Sequence, residues 1–314
     1  MFNNRIAAEI KFNLRSYVKG SVKKQASPHS ESAKKYVGRY APTPSGLLHI
    51  GHAATFRTAF QRAKQQDGRI VLRIEDLDRD RCKEGYESAS IEDMQWLGLL
   101  WDRDPRSPEG FIRQSDRLIR YREVLDRLIE AGVVYSCNRS RKEIREHPSA
   151  SQNLEGEVLF PESLRPQETE DPEEGEERYR QHWRFRADYG TVVTFEDRRT
   201  GQHSYEAGVD FGDFLVWTKS GYPAYELAVV VDDIDSGITE VVRGEDLLTS
   251  TARQILLYRV LGAEVPGFYH CPLIKDEHGV RLAKQYDSKS IRSYRADGYT
   301  PEAFWKMLES VSEG

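Results

Sequence analysis

No apolar stretch in the 314 residues approaches the roughly 20 needed to cross a bilayer, so no membrane role is expected. Cysteine is scarce. Cys82, Cys137 and Cys271 stand far apart with no paired spacing, which suits reduced thiols in a cytoplasmic setting. An excess of positive charge is missing as well: the net charge of −5 is not the footprint of a general nucleic-acid binder. The charge is uneven, however. Residues 1–35 carry eight Lys/Arg against two acids, whereas residues 155–177 carry ten acids against Arg165 alone. This leaves room for a local basic surface that meets RNA. Hydrophobic residues make up 38% of the chain, enough for one large domain or two modest ones, and charged residues 31%.

The chain is organised around residues 39–52, RYAPTPSGLLHIGH. Pro42, Pro44 and Gly46 impose a tight, non-helical path, because proline fixes φ and glycine admits conformations that other residues avoid. A helix is expected from about Ala53 to Lys64, with Ala53, Phe56, Phe60 and Ala63 at helical spacing. Strand, tight loop and helix together place free N–H groups and a positive dipole end where an anion can sit. His49 and His52, three residues apart, can face one bound group, and Gly51 leaves room for a ring or sugar. A blander reading has one histidine capping the helix and the other on the surface. A metal pair is less expected, since such pairs on one helix face sit at i and i+4 beside an acid.

Three further apolar runs end in charge. Residues 69–76, RIVLRIED, read as a buried parallel strand closing on Glu75 and Asp76. Residues 225–233, YELAVVVDD, read as another buried strand with two carboxylates at its end, and residues 241–246, VVRGED, as a strand ending in Arg243. Ligands of open α/β sheets bind at the carboxyl ends of strands, where an arginine is the bidentate partner for a carboxylate. A structural pair of Arg243 with Asp232 or Asp233 is the alternative. Elsewhere Ser115 and Ser250 are read as helix N-caps, Ile119, Leu125, Leu128 and Ile129 as inward-facing, and Thr300–Pro301 as the start of a last helix. Residues 148–181 read as an acidic, proline-containing surface loop, an acidic gate against misplaced RNA being a minor alternative. Residues 1–35 read as a lightly ordered extension, with an organelle transit peptide or an RNA-contacting arm as alternatives.

Pro-x-Pro-x-Gly-x-x-His-Ile-Gly-His resembles the ATP-binding signature of class I aminoacyl-tRNA synthetases, and the opening RYAPTPSG resembles their glutamate-specific branch. The likeness covers roughly residues 36–304 outside the insert. It implies an α/β fold: a Rossmann-type parallel sheet formed by residues 36–114 and 207–314, split at 115–206 by an inserted subdomain like those that bind an acceptor end. It implies ATP contacts at His49, Gly51 and His52, and a glutamate pocket drawing on Arg39, Tyr40, Ala41, Pro42, Thr43, Tyr225 and Arg243, with Glu75 on the substrate amino group. Arg281-Leu282-Ala283-Lys284-Gln285 is similar to the second, mobile signature. Lys284 matches its phosphate-contacting lysine, while Arg281 and Ala283 depart from the pattern. ATP and Mg²⁺ are the cofactors implied.

Two features of the chain bear on the branch. Relatives that modify queuosine often carry Cys-x-Cys and a third cysteine, binding zinc. Here Arg139 holds the position two after Cys137 and the next cysteine is Cys271, so zinc is not expected. Only 29 residues follow Gln285, and no anticodon-reading domain is expected. The resemblance therefore implies the stand-alone branch, which joins L-glutamate to queuosine in the anticodon of tRNA-Asp, acting as a cytoplasmic monomer. A truncated enzyme charging the 3′ end of tRNA-Glu and a catalytically silent RNA- or amino-acid-binding paralogue are the rivals. Lys284→Ala should fold normally by circular dichroism yet lose glutamate-dependent exchange of labelled pyrophosphate into ATP. Normal exchange by the folded variant removes Lys284 from the chemistry.

Overall fold

The computed structural model describes residues 35–166, 175–274 and 289–312. The basic extension and the second signature, with Arg281 and Lys284, lie outside the described residues. The parallel strands are β1 (Val37–Tyr40), β2 (Arg69–Ile74) and β3 (Ile112–Arg113), then β9 (Glu240–Gly244) and β10 (Gly267–Cys271). β6 (Val192–Asp197) joins β10 in parallel and turns back through β7 (Gly201–Glu206), giving the order β7-β6-β10-β9. The Thr239 N–H donates to the Val37 carbonyl at 2.9 Å and brings the β9 edge alongside β1.

Alternation along β2 shows why the sheet is covered on both faces. Ile70, Leu72 and Ile74 pack into one core with Tyr40, Phe56 and Phe304, while Val71 packs into the other with Tyr121, Val230 and Tyr258. The first core is closed by α1 (Ile50–Gln65), α2 (Glu84–Trp96), α7 (Ile291–Ala296) and α8 (Pro301–Ser312); the second by α3 (Leu118–Glu130), α5 (Tyr225–Ser236) and α6 (Leu248–Val260). A strand buried on both faces reads as a near-continuous apolar run, as β2 does. A smaller antiparallel sheet, β4 (Val134–Ser136), β5 (Trp183–Phe185) and β8 (Phe214–Trp217), carries the short helix α4 (Arg141–Arg145). Among the described residues no helix is long and apolar enough to cross a membrane.

Several local readings are corrected. Residues 225–233 are not a strand but most of α5, whose residues from Glu226 to Asp233 are all buried. A helix packed on every side shows no polar stripe, so its apolar run is indistinguishable from a buried strand. Ser115 caps no helix: it lies in a 3₁₀ turn before α3, and its hydroxyl donates to Asp76 at 2.5 Å, tying that turn to the end of β2. Ile119 is 77% exposed. Ser250 sits inside α6, which starts at Leu248.

The acidic segment is less solvated than its composition implies. Leu159 and Phe160 are buried, and Arg165 forks onto Asp213 with Nε and Nη2 at 2.8 and 2.7 Å. Asp213 also accepts from the Tyr135 hydroxyl at 2.6 Å and the Ala187 N–H at 2.9 Å, so its buried charge is fully satisfied. Cys137 packs beside this pin with Tyr135, Ile144 and Phe160. Removing a buried carboxylate strands the cation that faced it. Asp213→Ala should therefore cost about 3–5 kcal/mol in denaturant unfolding, and exhaustive dialysis against a chelator should leave the wild-type midpoint unchanged. A chelator-sensitive midpoint with one zinc per chain contradicts this account.

Candidate active site

A cavity of about 860 Å³ opens at the carboxyl ends of β1, β2 and β9. Arg39, Ala41, Pro42, Thr43, His49, Gly51, His52, Glu75, Tyr225 and Arg243 all line it. Tyr40, the neighbour of Arg39 on β1, points the other way: it is buried with its ring 5.3 Å from Phe56 and does not line the cavity.

The two histidines build the start of α1. His49 is the N-cap; its Nδ1 accepts from the Gly51 N–H at 3.1 Å, and His52 Nδ1 accepts from the His49 N–H at 3.2 Å. They form a reciprocal capping box from imidazoles, each satisfying an N–H that the helix leaves unpaired. Burial lowers the pKa of His49, and burial with the neighbouring His49 ring pushes His52 down to about 3. Both rings are neutral near pH 7. With Nδ1 accepting, the ring proton of each sits on Nε2, leaving two donors in the cavity wall. A side chain on Gly51 would meet His49 Cε1 at 2.9 Å, so glycine here preserves the packing of that ring.

The acidic and basic groups form two sets. In the first, Asp233 lies between Arg73, whose Nη1 donates at 2.6 Å, and Arg39, whose Nε is 3.7 Å away. Arg73 also reaches Glu75 through Nη2 at 3.1 Å, and Arg39 Nη1 donates to the Val242 carbonyl at 2.7 Å. Burial pushes the Glu75 carboxyl up, opposed by Arg73 and Arg39, and lowers Arg39. The second set surrounds Arg243. Nη1 donates to Gln254 Oε1 at 2.8 Å, Nη2 to the Thr251 hydroxyl at 2.7 Å, and Nε to His270 Nε2 at 3.3 Å. The Tyr225 hydroxyl is 3.4 Å from Nη1. No carboxylate lies within ion-pair distance of Arg243 among the described residues, so the pairing with Asp232 or Asp233 allowed by the sequence is not formed.

Motif and spacing do not single out Arg73, Asp197, Thr251, Gln254 or His270, which sit in ordinary strand and helix stretches. Only the doublet Asp232-Asp233 carries a signal, and its apolar run reads as a strand. His270 Nδ1 is 2.7 Å from Asp197 Oδ2, which also accepts the His270 main-chain N–H, so the neutral ring donates from Nδ1 and presents a bare Nε2 to Thr251 and Arg243.

This geometry sets a pair of neutral imidazole donors in one cavity with a buried guanidinium that has no carboxylate partner among the described residues. With the fold it defines a class I tRNA synthetase catalytic body. The family model described as tRNA synthetases class I (E and Q), catalytic domain, matches residues 35–311, and the chain belongs to this family of ligases. It is 41% identical over 286 residues to the Glutamyl-Q tRNA(Asp) synthetase of Symbiobacterium thermophilum, covering 88% of this chain and 86% of that protein. It is 38% identical over 271 residues to the Glutamate–tRNA ligase of Aquifex aeolicus, covering 86% of this chain but 56% of that one. A solved glutamate tRNA ligase from Elizabethkingia meningosepticum, in complex with its amino acid, superposes with a TM-score of 0.69 at 26% identity, over 88% of this chain and 60% of that one. The chain thus covers 56% and 60% of the two glutamate–tRNA ligases.

Burial and Arg243 push His270 down to about 4. The unfolded chain takes up a proton near pH 6.5 that the folded chain refuses until about pH 4, so stability falls as pH falls through that window. For this ring the loss should reach about 2 kcal/mol at pH 5. Denaturant midpoints at pH 7 and 5 should show it, and His270→Asn should flatten the dependence by about that amount. An unchanged acid limb in the variant contradicts the assignment.

Proposed function

We propose that the chain activates L-glutamate with ATP and transfers it to the queuosine base in the anticodon of tRNA-Asp. The observation that carries the activation half is Arg243, a buried guanidinium on the cavity wall that among the described residues is held by neutral partners and so is left to pair with a substrate carboxylate. In this reading it takes the side-chain carboxylate of glutamate, with Tyr225 alongside. Arg39 faces the same substrate, and Glu75 receives its ammonium group. Ala41, Pro42 and Thr43 supply the neighbouring loop wall.

The Nε2–H donors of His49 and His52 suit ATP phosphates at the start of α1, and Gly51 suits the close approach of a sugar. Lys284 joins them in the proposal, and Mg²⁺ enters with ATP. The glutamate α-carboxylate attacks the α-phosphorus, the bond to the pyrophosphate oxygen breaks, and glutamyl-adenylate forms. A hydroxyl of the queuosine ring then attacks the activated carbonyl and AMP departs. Preorganised donors aimed at developing charge are the main aid such chemistry receives from a protein. The same proposal divides the chain into a body of residues 36–114 and 207–314 and an inserted unit of residues 115–206 that receives the RNA, and places a monomer in the cytoplasm.

The acceptor half is supported by the 41% identity to a protein named Glutamyl-Q tRNA(Asp) synthetase and by coverage of most of its length. The test supplies labelled glutamate and ATP with tRNA from normal cells and from cells unable to make queuosine. Label should enter only the first pool. Equal labelling of both, or label released with the 3′-terminal adenosine after nuclease digestion, would move the assignment to a tRNA-Glu enzyme.

A further inference from the structure

A second cavity, of about 460 Å³, lies on the other side of Tyr225, which lines both. Its walls come from α4, β5, the start of α5 and α6, and four guanidinium groups converge there: Arg141, Arg145, Arg184 and Arg253. Arg253 is ion-paired with Glu157. The other three have no ion-pair partner among the described residues, in a chain where Arg62, Arg106, Arg113, Arg117, Arg120 and Arg165 are all paired. The wall acids are already engaged: Asp213 by Arg165 and Tyr135, and Glu226 by Gln254 at 2.8 Å and by Arg253 at 3.9 Å. Arg184 rests its guanidinium 4.6 Å from the Phe160 ring centroid, and its Nε is buried without a hydrogen-bond partner.

Three carboxylates share the wall, but Arg141, Arg145 and Arg184 have no ion-pair partner among the described residues, and cations so gathered in a concave wall repel one another and are held together more favourably with an anion bound. Planar guanidinium forks match phosphate oxygens two at a time, and the partly exposed Tyr225 ring offers a face against which a sugar or base can lie. Arg141 and Arg145 stand one helical turn apart on α4, on the cavity side. We propose that this cavity binds a phosphodiester of the acceptor RNA strand, seating the adjoining nucleoside against Tyr225 and so beside the activated glutamate. The inference rests on the glutamate-transfer reading above and adds to it the anchor for the acceptor.

The test uses the full chain and the anticodon stem-loop of tRNA-Asp with and without queuosine. Arg141→Glu combined with Arg145→Glu should weaken stem-loop binding at least tenfold, whether or not queuosine is present, and should lower the slope of log affinity against log salt by about 1–2. Transfer should fall at least tenfold relative to glutamate-dependent pyrophosphate exchange by the same variant. Lys142→Glu, on the same helix but off the cavity, should change binding less than threefold. Unchanged affinity and slope in the double variant overturn the proposal. A loss confined to exchange overturns it too, and assigns the cavity to pyrophosphate or free phosphate. Absence of exchange in the wild-type chain counts against glutamate activation instead, and the stem-loop affinities still decide whether the cavity holds RNA.

Discussion

The carboxylate of Asp233, buried on α5, is shared by Arg73 of β2 and Arg39 of β1. Three elements from different parts of the chain therefore meet at one charge. Removing a charge from water costs several kcal/mol, and the cost is recovered only where partners and hydrogen bonds are complete. Arg73 illustrates the demand: it is 1% exposed and touches Asp233, Glu75 and, at 3.7 Å, Asp232. Asp232 in turn collects Arg117, Gln114 and Tyr121, all from the 3₁₀ turn and helix that follow β3. The cavity floor is thus fixed by a chain of charges running from β1 to α3, and the placement of Arg39 and Glu75 follows from it.

Arginines in this protein play opposite parts. Arg73, Arg117 and Arg165 are saturated with carboxylates and act as pins. Arg243 is also buried, yet its fork is held by an amide oxygen, a hydroxyl and an imidazole. A guanidinium oriented by neutral acceptors keeps its charge available, and that distinction separates a ligand-holding residue from a structural one. The Asp197–His270 pair extends the same logic outward, since the carboxylate fixes the tautomer of the ring that faces Arg243. His49 and His52 are fixed in the same way, holding their protons on Nε2 by giving Nδ1 to the main chain.

Much of this is legible in the sequence. The loop-and-helix motif at residues 39–52, the strand ending in Glu75 and the strand ending in Arg243 are each readable from punctuation and terminal charge, and they line one cavity. The α5 segment reads wrongly because burial on all sides erases the polar stripe that distinguishes a helix. Ser115 looks like a cap because serine favours that position, but tertiary contact with Asp76 takes its hydroxyl instead. The roles of Arg73, Gln254 and His270 depend on partners 160, 11 and 73 residues away in the chain, distances at which no local pattern operates. The acidic composition of residues 148–181 conceals residues such as Leu159, Phe160, Arg165 and Tyr179 that anchor its described parts.

We propose that Arg243, with no carboxylate partner among the described residues, makes this cavity select a second carboxylate on the amino acid it activates. The most direct measurement is exchange of labelled pyrophosphate into ATP without any RNA, comparing glutamate with glutamine. The account predicts robust exchange with glutamate and, because breaking such a buried charge pair costs about 2–5 kcal/mol, exchange with glutamine at least about 30-fold weaker in kcat/KM. Equal exchange with both amino acids, or an Arg243→Ala chain that keeps the preference for glutamate, would contradict it.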